Sequence, residues 1–271
     1  MIFDISTPDA AFKFIQDFFN ITGSGFIDEY IIECNNDFDS FWNKRLDYID
    51  STNIDHLKYK ALHVTSNWDD CLEIKMQGIK NLQAVLSEQT TLRNLLLEYG
   101  VKFDIENKAL VIGEKVIDID YDKFRGRFRL TSEEERIREV ARKIYFDPQV
   151  NAFFSIDDIA RYGTDIHCRP EFLMNLSSLI PRIKEVEKIW CTKSKGYIVT
   201  FLADFDQFAW YSFYDYEDNY WEDMESRLIL KKWLISNAVS RSFERGGSEI
   251  IAYMGSGVTI TPEQIIDYTA L

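Results

Sequence analysis

Apolar residues along the chain follow two spacings, and the switches between them mark the elements. Phe12, Ile15, Phe18 and Phe19 recur at helical steps, and Phe38, Phe41, Leu46 and Ile49 do so after a turn-rich break at Gly23–Gly25. Pro8 to about Tyr59 therefore predicts a helical segment. Ala61–Thr65 predicts a short strand, after which Asp69 or Asp70 caps a helix carrying Leu72, Ile74 and Met76 and ending at Gly78. Leu86–Tyr99 predicts a second helix, closed by Gly100. Ala109–Ile112, Val116–Ile119 and Phe124–Leu130 predict strands, and Thr131 with Glu134 makes a capping box for a helix to about Ile144. Val150–Ser155 predicts a strand, and Pro170 opens a helix to about Ile180. Tyr197–Ala203 is the clearest strand. Met224–Phe243 is the longest helix, stopped by Gly246–Gly247. Glu249–Met254 predicts a last strand, and Thr261-Pro262 a short terminal helix. Strands and helices mix without regular βαβ alternation, which predicts an α+β fold.

Composition narrows the class. The 271 residues are 46% hydrophobic and 15% aromatic, enough for one large core or one domain with an accessory part. Against 45 Asp and Glu stand 31 Lys and Arg, a net charge of −14. Such a chain does not attract polyanions by its overall field, so contact with nucleic acid needs a local basic patch. Cys34, Cys71, Cys168 and Cys191 form no C-x-x-C pair, as expected of a reduced, intracellular protein. No stretch approaches the ~20 apolar residues of a membrane helix. The N-terminus lacks the pattern of a signal peptide. The expectation is a cytoplasmic protein without a membrane partner.

Familiar motifs are missing. The sequence holds no Walker loop, no G-x-G-x-x-G and no G-x-S-x-G. His56, His63 and His167 are not spaced as a metal set, and no metal is expected. Taken singly, His63 reads as readily as an ordinary half-buried strand histidine, and Glu249 as a strand-end carboxylate with an arginine partner.

Order and context change that reading. His63-Val64-Thr65, then a helix ending in Ile74-x-x-x-Gly78-Ile79, resembles the opening of ADP-ribosyltransferases with a His-Tyr-Glu type site, and most of all the DarT-like toxins. Ala152-Phe153-Phe154-Ser155 with Tyr162 resembles the family's middle strand and stacking aromatic. Ser248-Glu249-Ile250-Ile251 resembles its catalytic strand, and Thr261-Pro262-Glu263-Gln264-Ile265 the small helix that often follows it. The resemblance spans about Ala61 to Leu271. It implies a split mixed β-sheet of the ADP-ribosyltransferase type over residues 60–271, preceded by a helical accessory segment over 1–59.

The resemblance also implies a chemistry. Cleaving NAD between nicotinamide and ribose develops an oxocarbenium-like charge on the sugar. Glu249 would stabilise that charge and help deprotonate the acceptor. His63 would hydrogen-bond a ribose hydroxyl, with Thr65 assisting. Tyr162 would stack on nicotinamide and Ser155 would orient it. Where these toxins carry an NAD-binding Asn, this chain has Trp68-Asp69-Asp70, and Asn67 is the substitute. NAD is thus expected as substrate, with no metal.

Two features bear on the acceptor. Transferases that modify arginine carry an acidic residue two positions before the catalytic Glu, where this chain has Gly247, so the resemblance favours a nucleic acid acceptor, RNA or DNA. Phe124-Arg125-Gly126-Arg127-Phe128-Arg129 is a basic island. If extended, it puts Arg125, Arg127 and Arg129 on one face for phosphate recognition; surface pairing with Glu133–Glu135 is the other reading. Phe208–Tyr216 with Tyr220-Trp221 is an aromatic run expected to fill core strands, with a remainder to stack bases or bind a neutralising protein. The expected role is a toxin or phage-defence effector. A protein-modifying transferase and an inactive nucleotide-binding relative remain the alternatives.

Overall fold

The computed structural model describes residues 1–158, 165–244 and 249–271. In chain order the elements are β1 (Ile2–Phe3), α1 (Pro8–Phe19), α2 (Gly23–Ile27), a π-helical turn over Asp28–Glu33, α3 (Phe38–Ser51), β2 (Lys58–Asn67), α4 (Leu72–Gln77), α5 (Leu82–Ser87) and α6 (Thr91–Glu98). There follow β3 (Val101–Asp104), β4 (Ala109–Ile112), β5 (Lys115–Asp118), α7 (Ser132–Tyr145), β6 (Asn151–Ser155), α8 (Glu171–Leu179) and α9 (Ile183–Lys193). The chain closes with β7 (Lys195–Ala203), α10 (Glu217–Glu222), α11 (Leu228–Ser242), β8 (Ile250–Tyr253) and β9 (Ile265–Ala270). The fold is mixed α+β with antiparallel ladders. The larger sheet bonds in the order β8-β6-β2-β7-β9, with β1 parallel to β2; β3-β4-β5 is a separate meander.

The chain divides into two compact units. The first comprises Met1–Leu62, Asn151–Asp157 and Thr200–Gly255. Its α1 is capped by the Thr7 hydroxyl, which accepts from the Ala10 amide, and Pro8 sits in the first turn, where its missing N–H costs nothing. That helix packs on α11, so the N-terminal helices share a core with the C-terminal part of the chain; neither unit has an edge at residue 59. The core is built of rings. Phe3 meets Phe14 and Phe154 edge-on at 5.1 and 5.8 Å, and Phe213 meets Trp233 at 5.0 Å. Phe3 and Phe154 are fully buried, each contributing about 2–3 kcal/mol. Three rings of the predicted aromatic run, Phe208, Phe213 and Tyr214, are buried in this core, from loops and single 3-10 turns rather than from strands, while Tyr211, Tyr216 and Trp221 are exposed.

The second unit comprises His63–Val150, Asp158–Val199 and Ser256–Leu271, and its core is largely aliphatic. Leu96, Leu110, Val140, Ile144, Leu173, Leu176 and Val186 pack there, with Trp190 at its margin. The predicted capping box of α7 is present in both directions: the Thr131 hydroxyl accepts from the Glu134 amide, and the Glu134 carboxylate accepts from the Thr131 amide.

Three expectations are corrected. Leu86–Tyr99 is not one helix: α5 and α6 are separated where Thr90 caps α6, accepting from the Arg93 amide while donating to the Val85 carbonyl. Phe124–Leu130 is not a strand. The Arg127 amide closes a turn on the Phe124 carbonyl, with Gly126 at φ +74°, a conformation that breaks any extended run. Thr261-Pro262 opens only a 3-10 turn, and the chain then extends into β9. Gly246–Gly247, expected to stop α11, lie outside the described residues. Among the described residues no helix is long and apolar enough to cross a membrane.

Candidate functional site

His63, Thr65 and Asn67 occupy alternate positions of β2, so they share one face of the strand. The burial pattern of β2 is unusual. Tyr59 and Ala61 are buried at its start, whereas Val64 and Ser66, of opposite parity, are buried further on. The strand switches its buried face at Leu62–His63. The consequence is local: His63, Thr65 and Asn67 stay half-buried while their neighbours carry the packing. Ser66 is fixed from behind by the Trp190 indole N–H, which donates to its hydroxyl at 2.9 Å.

The loop that follows is tightly determined. The Asn67 side-chain carbonyl accepts from the amides of Asp69 (3.0 Å) and Cys71 (2.9 Å). Asp69 accepts from the Leu72 and Glu73 amides and so caps α4, as the sequence predicts. Asp70 and Cys71 both adopt left-handed backbone, at φ +52° and +63°. Such conformations cost energy for residues with a Cβ and persist only where the surroundings enforce them. At the far end of α4, Gly78 lies at φ +78°, and a Cβ there would stand 2.0 Å from the Ile260 carbonyl oxygen. Only glycine fits the Ile79–Ile260 bridge beside it.

In the first unit, antiparallel pairing of β6 and β8 sets Ser155 opposite Ile250, with a register shift between Phe153 and Ser155. Glu249, immediately before Ile250, is therefore one residue from the Ser155 pairing position, and its side chain is exposed. Ser155 is fully buried, and its hydroxyl has no hydrogen-bond partner among the described residues. An unsatisfied buried hydroxyl is costly and invites a functional account. The structure thus groups Ser155 with Glu249 on one strand pair, and His63, Thr65 and Asn67 on one strand face. Tyr162, Gly247 and Ser248 lie outside the described residues.

Arg125, Arg127 and Arg129 are exposed, but not as one face of a strand, since the segment turns at Gly126. Arg127 pairs with Glu134 at 2.8 Å, which bears out the surface-pairing reading for that residue alone. Among the described residues no group of three or more His, Cys, Asp or Glu is placed to hold a metal ion.

A polar constellation with no counterpart in the sequence reading surrounds Asp223. Its carboxylate is 2% exposed and accepts from the Ile229 and Leu230 amides (2.8 Å each), the Ser226 hydroxyl (3.1 Å) and the Tyr214 hydroxyl (3.2 Å). Burial first, and Asp223 second, push the Tyr214 phenol up from its ordinary range. The signal in sequence was an Asp a few residues ahead of the α11 pattern, hidden by starting that helix at Met224.

No family model matches this chain, and no curated protein or solved structure is significantly similar to it.

Proposed function

We propose that the protein is an ADP-ribosyltransferase that cleaves NAD and transfers its ADP-ribose to a macromolecule. The observation that carries this reading is the face of β2: His63 and Thr65 are held half-buried at alternate positions by a strand whose packing is done by other residues. That is the environment a ligand-contacting His-x-Thr pair requires. The pairing of Ser155 with the residue after Glu249 supports it from the other predicted strand.

In this reading the bond between the ribose C1′ and the nicotinamide nitrogen breaks with its electron pair, leaving neutral nicotinamide. The positive charge that develops on the ribose faces the Glu249 carboxylate. An acceptor oxygen or nitrogen then bonds to C1′, and its proton passes to Glu249 or to solvent. His63 and Thr65 hold ribose hydroxyls, Tyr162 stacks on the nicotinamide ring and the Ser155 hydroxyl fixes its orientation. Asn67 has a different balance, because its carbonyl oxygen is already engaged by two amides, leaving only its N–H donors for a ligand. The acceptor we propose is a nucleic acid, because Gly247 stands where arginine-modifying transferases carry an acid.

The test is incubation with NAD labelled in the adenosine moiety, together with nucleic acid and protein extracts. Nicotinamide release is followed, and labelled product is digested separately with protease, RNase and DNase. Release with nuclease-sensitive label is the expected result; no release with any acceptor overturns the reading.

A further inference from the structure

Two polar groups of the first unit are left unmatched by its packing. Tyr59, at the start of β2, is 1% exposed, and its hydroxyl has no hydrogen-bond partner among the described residues. Arg227, immediately before α11, is half-buried, and its terminal nitrogen Nη1 is likewise buried and unpartnered among them. Both side chains lie against one ring. The Arg227 Cζ stands 4.3 Å from the centre of the Phe205 ring, and the Tyr59 ring is 6.2 Å from it. Phe213 closes the group, 5.5 Å from Tyr59 and 5.3 Å from Phe205. The two polar groups also act on each other. Burial pushes the Tyr59 phenol above its ordinary range, against the Arg227 charge, which favours the phenolate.

This arrangement is held against opposing terms. Arg227 has left-handed backbone, φ +56°, which a residue with a Cβ keeps only where its surroundings enforce it. A buried hydroxyl and a buried N–H without acceptors each oppose folding. Among the described residues no carboxylate forms an ion pair with Arg227, and Asp223, four residues earlier, is already taken by two amides and two hydroxyls. Two donors, one of them cationic, beside aromatic walls call for an acceptor that carries negative charge. A cation is repelled there. Water accepts from both groups but leaves the guanidinium charge uncompensated where rings exclude solvent. One guanidinium balances one negative charge, and Phe205 and Phe213 offer no donors for the further oxygens of a phosphate or sulfate.

We propose that the Tyr59 hydroxyl and the Arg227 guanidinium together bind a small monovalent anion, either a halide ion or the carboxylate of a small molecule. The Tyr59 O–H and the Arg227 Nη1–H donate to it, and it supplies the acceptor that both lack. Bound there, it ties β2 to the turn ahead of α11, so occupancy stabilises the first unit. The site is built wholly from that unit and does not rest on the transferase reading.

The experiment uses the full chain at neutral pH without NAD. Chlorine NMR line width reads chloride binding directly, and thermal melting is followed as sodium chloride or sodium acetate replaces bulky sodium gluconate at constant ionic strength. Chloride is expected to show saturable broadening, and melting to rise by about 2 °C or more and then level off, as for a single site. Tyr59→Phe removes one oxygen and keeps the ring. It is expected to weaken chloride binding at least fivefold and, in gluconate, to melt above wild type, because the unmet hydroxyl is gone. Arg227→Gln is expected to abolish the saturable broadening, with Arg227→Lys retaining part of it. A larger stabilisation by acetate than by chloride assigns the site to a carboxylate ligand, and the reverse assigns it to the inorganic ion. No saturable response to either, an equal response in Tyr59→Phe, or matching stabilisation by sulfate at the same ionic strength overturns the proposal. So does a Tyr59→Phe melting difference that is identical in gluconate and chloride, since water alone would then meet the hydroxyl.

Discussion

The Tyr197 hydroxyl donates to Asp70 Oδ1 at 2.6 Å, and the Lys195 ammonium donates to the same oxygen at 2.9 Å. The pair fastens the loop after β2 to the start of β7. The hydrogen bond from Tyr197, then that from Lys195, holds the Asp70 carboxyl below the usual carboxylate range. The same bond to Asp70, with burial second, pushes the Tyr197 phenol up to about 12. A lowered carboxyl stabilises the fold above the range in which a free Asp titrates, and that contribution is lost as pH falls through the lower, folded value. A raised phenol stabilises below about 10, the free value, and is lost as pH rises through about 12. Asp70→Asn is therefore expected to return the Tyr197 titration toward 10, read by NMR of ring-labelled tyrosine. An unmoved titration would show that burial alone sets it.

Asn67 is a loop organiser before it is anything else. Asn67→Ala leaves the Asp69 and Cys71 amides without their acceptor and is expected to cost about 1–2 kcal/mol, seen as a lower melting temperature. Asn67→Asp keeps the acceptor oxygen and should hold the melting temperature near wild type. Loss of NAD affinity in both variants would identify the amide nitrogen as a ligand contact; loss in neither would confine the residue to the loop.

Glu249 is exposed at the head of β8, so Glu249→Gln should leave thermal stability unchanged. Nicotinamide release is expected to fall about 10²–10³-fold, the usual effect of removing one preorganised electrostatic contact. His63→Ala should weaken NAD binding in calorimetric titration with little change in melting. Near wild-type release by Glu249→Gln would remove it from the chemistry.

Asp223 supplies the cap of α11 from six and seven residues ahead. Asp223→Ala abandons two helix amides and the Tyr214 hydroxyl in a buried setting, and should lower unfolding free energy by about 2–4 kcal/mol in urea titration. Asp223→Asn, which keeps one acceptor oxygen, should fall between the two. A loss below about 1 kcal/mol would mean that water replaces the carboxylate.

Much of the chain was readable in advance because local signals and tertiary packing agree. Thr131 and Glu134 announce α7, Ala109–Ile112 reads as a strand, and the strand cores at Val150–Ser155 and Tyr197–Ala203 appear within a few residues of their observed ends. The failures have physical causes. A helical run over Leu86–Tyr99 was interrupted by a threonine whose hydroxyl bonds the backbone better outside the helix than within it. Alternating Phe and Arg at 124–129 mimicked a strand, and Gly126 outweighed the alternation. α9 escaped notice because its apolar positions Ile183, Val186 and Trp190 share the helix with five charged residues. Of the candidate site, the shared face of His63 and Thr65 follows from the parity of the expected strand Ala61–Thr65, while Asn67 joins it only because the strand runs on to residue 67. The double engagement of Asn67 could not, since it depends on the loop's left-handed turn.

The change of buried face along β2 has a consequence for how this strand tolerates substitution. Tyr59 and Ala61 ahead, and Val64 and Ser66 behind, carry the full burial of the strand, while positions 63 and 65 are only half-buried. An exchange there removes less buried surface than one at Val64 or Ser66. Such positions are where selection can trade one ligand for another at little risk to folding. A library randomised at His63 and Thr65 alone should therefore return mostly folded proteins, whereas one at Val64 and Ser66 should not.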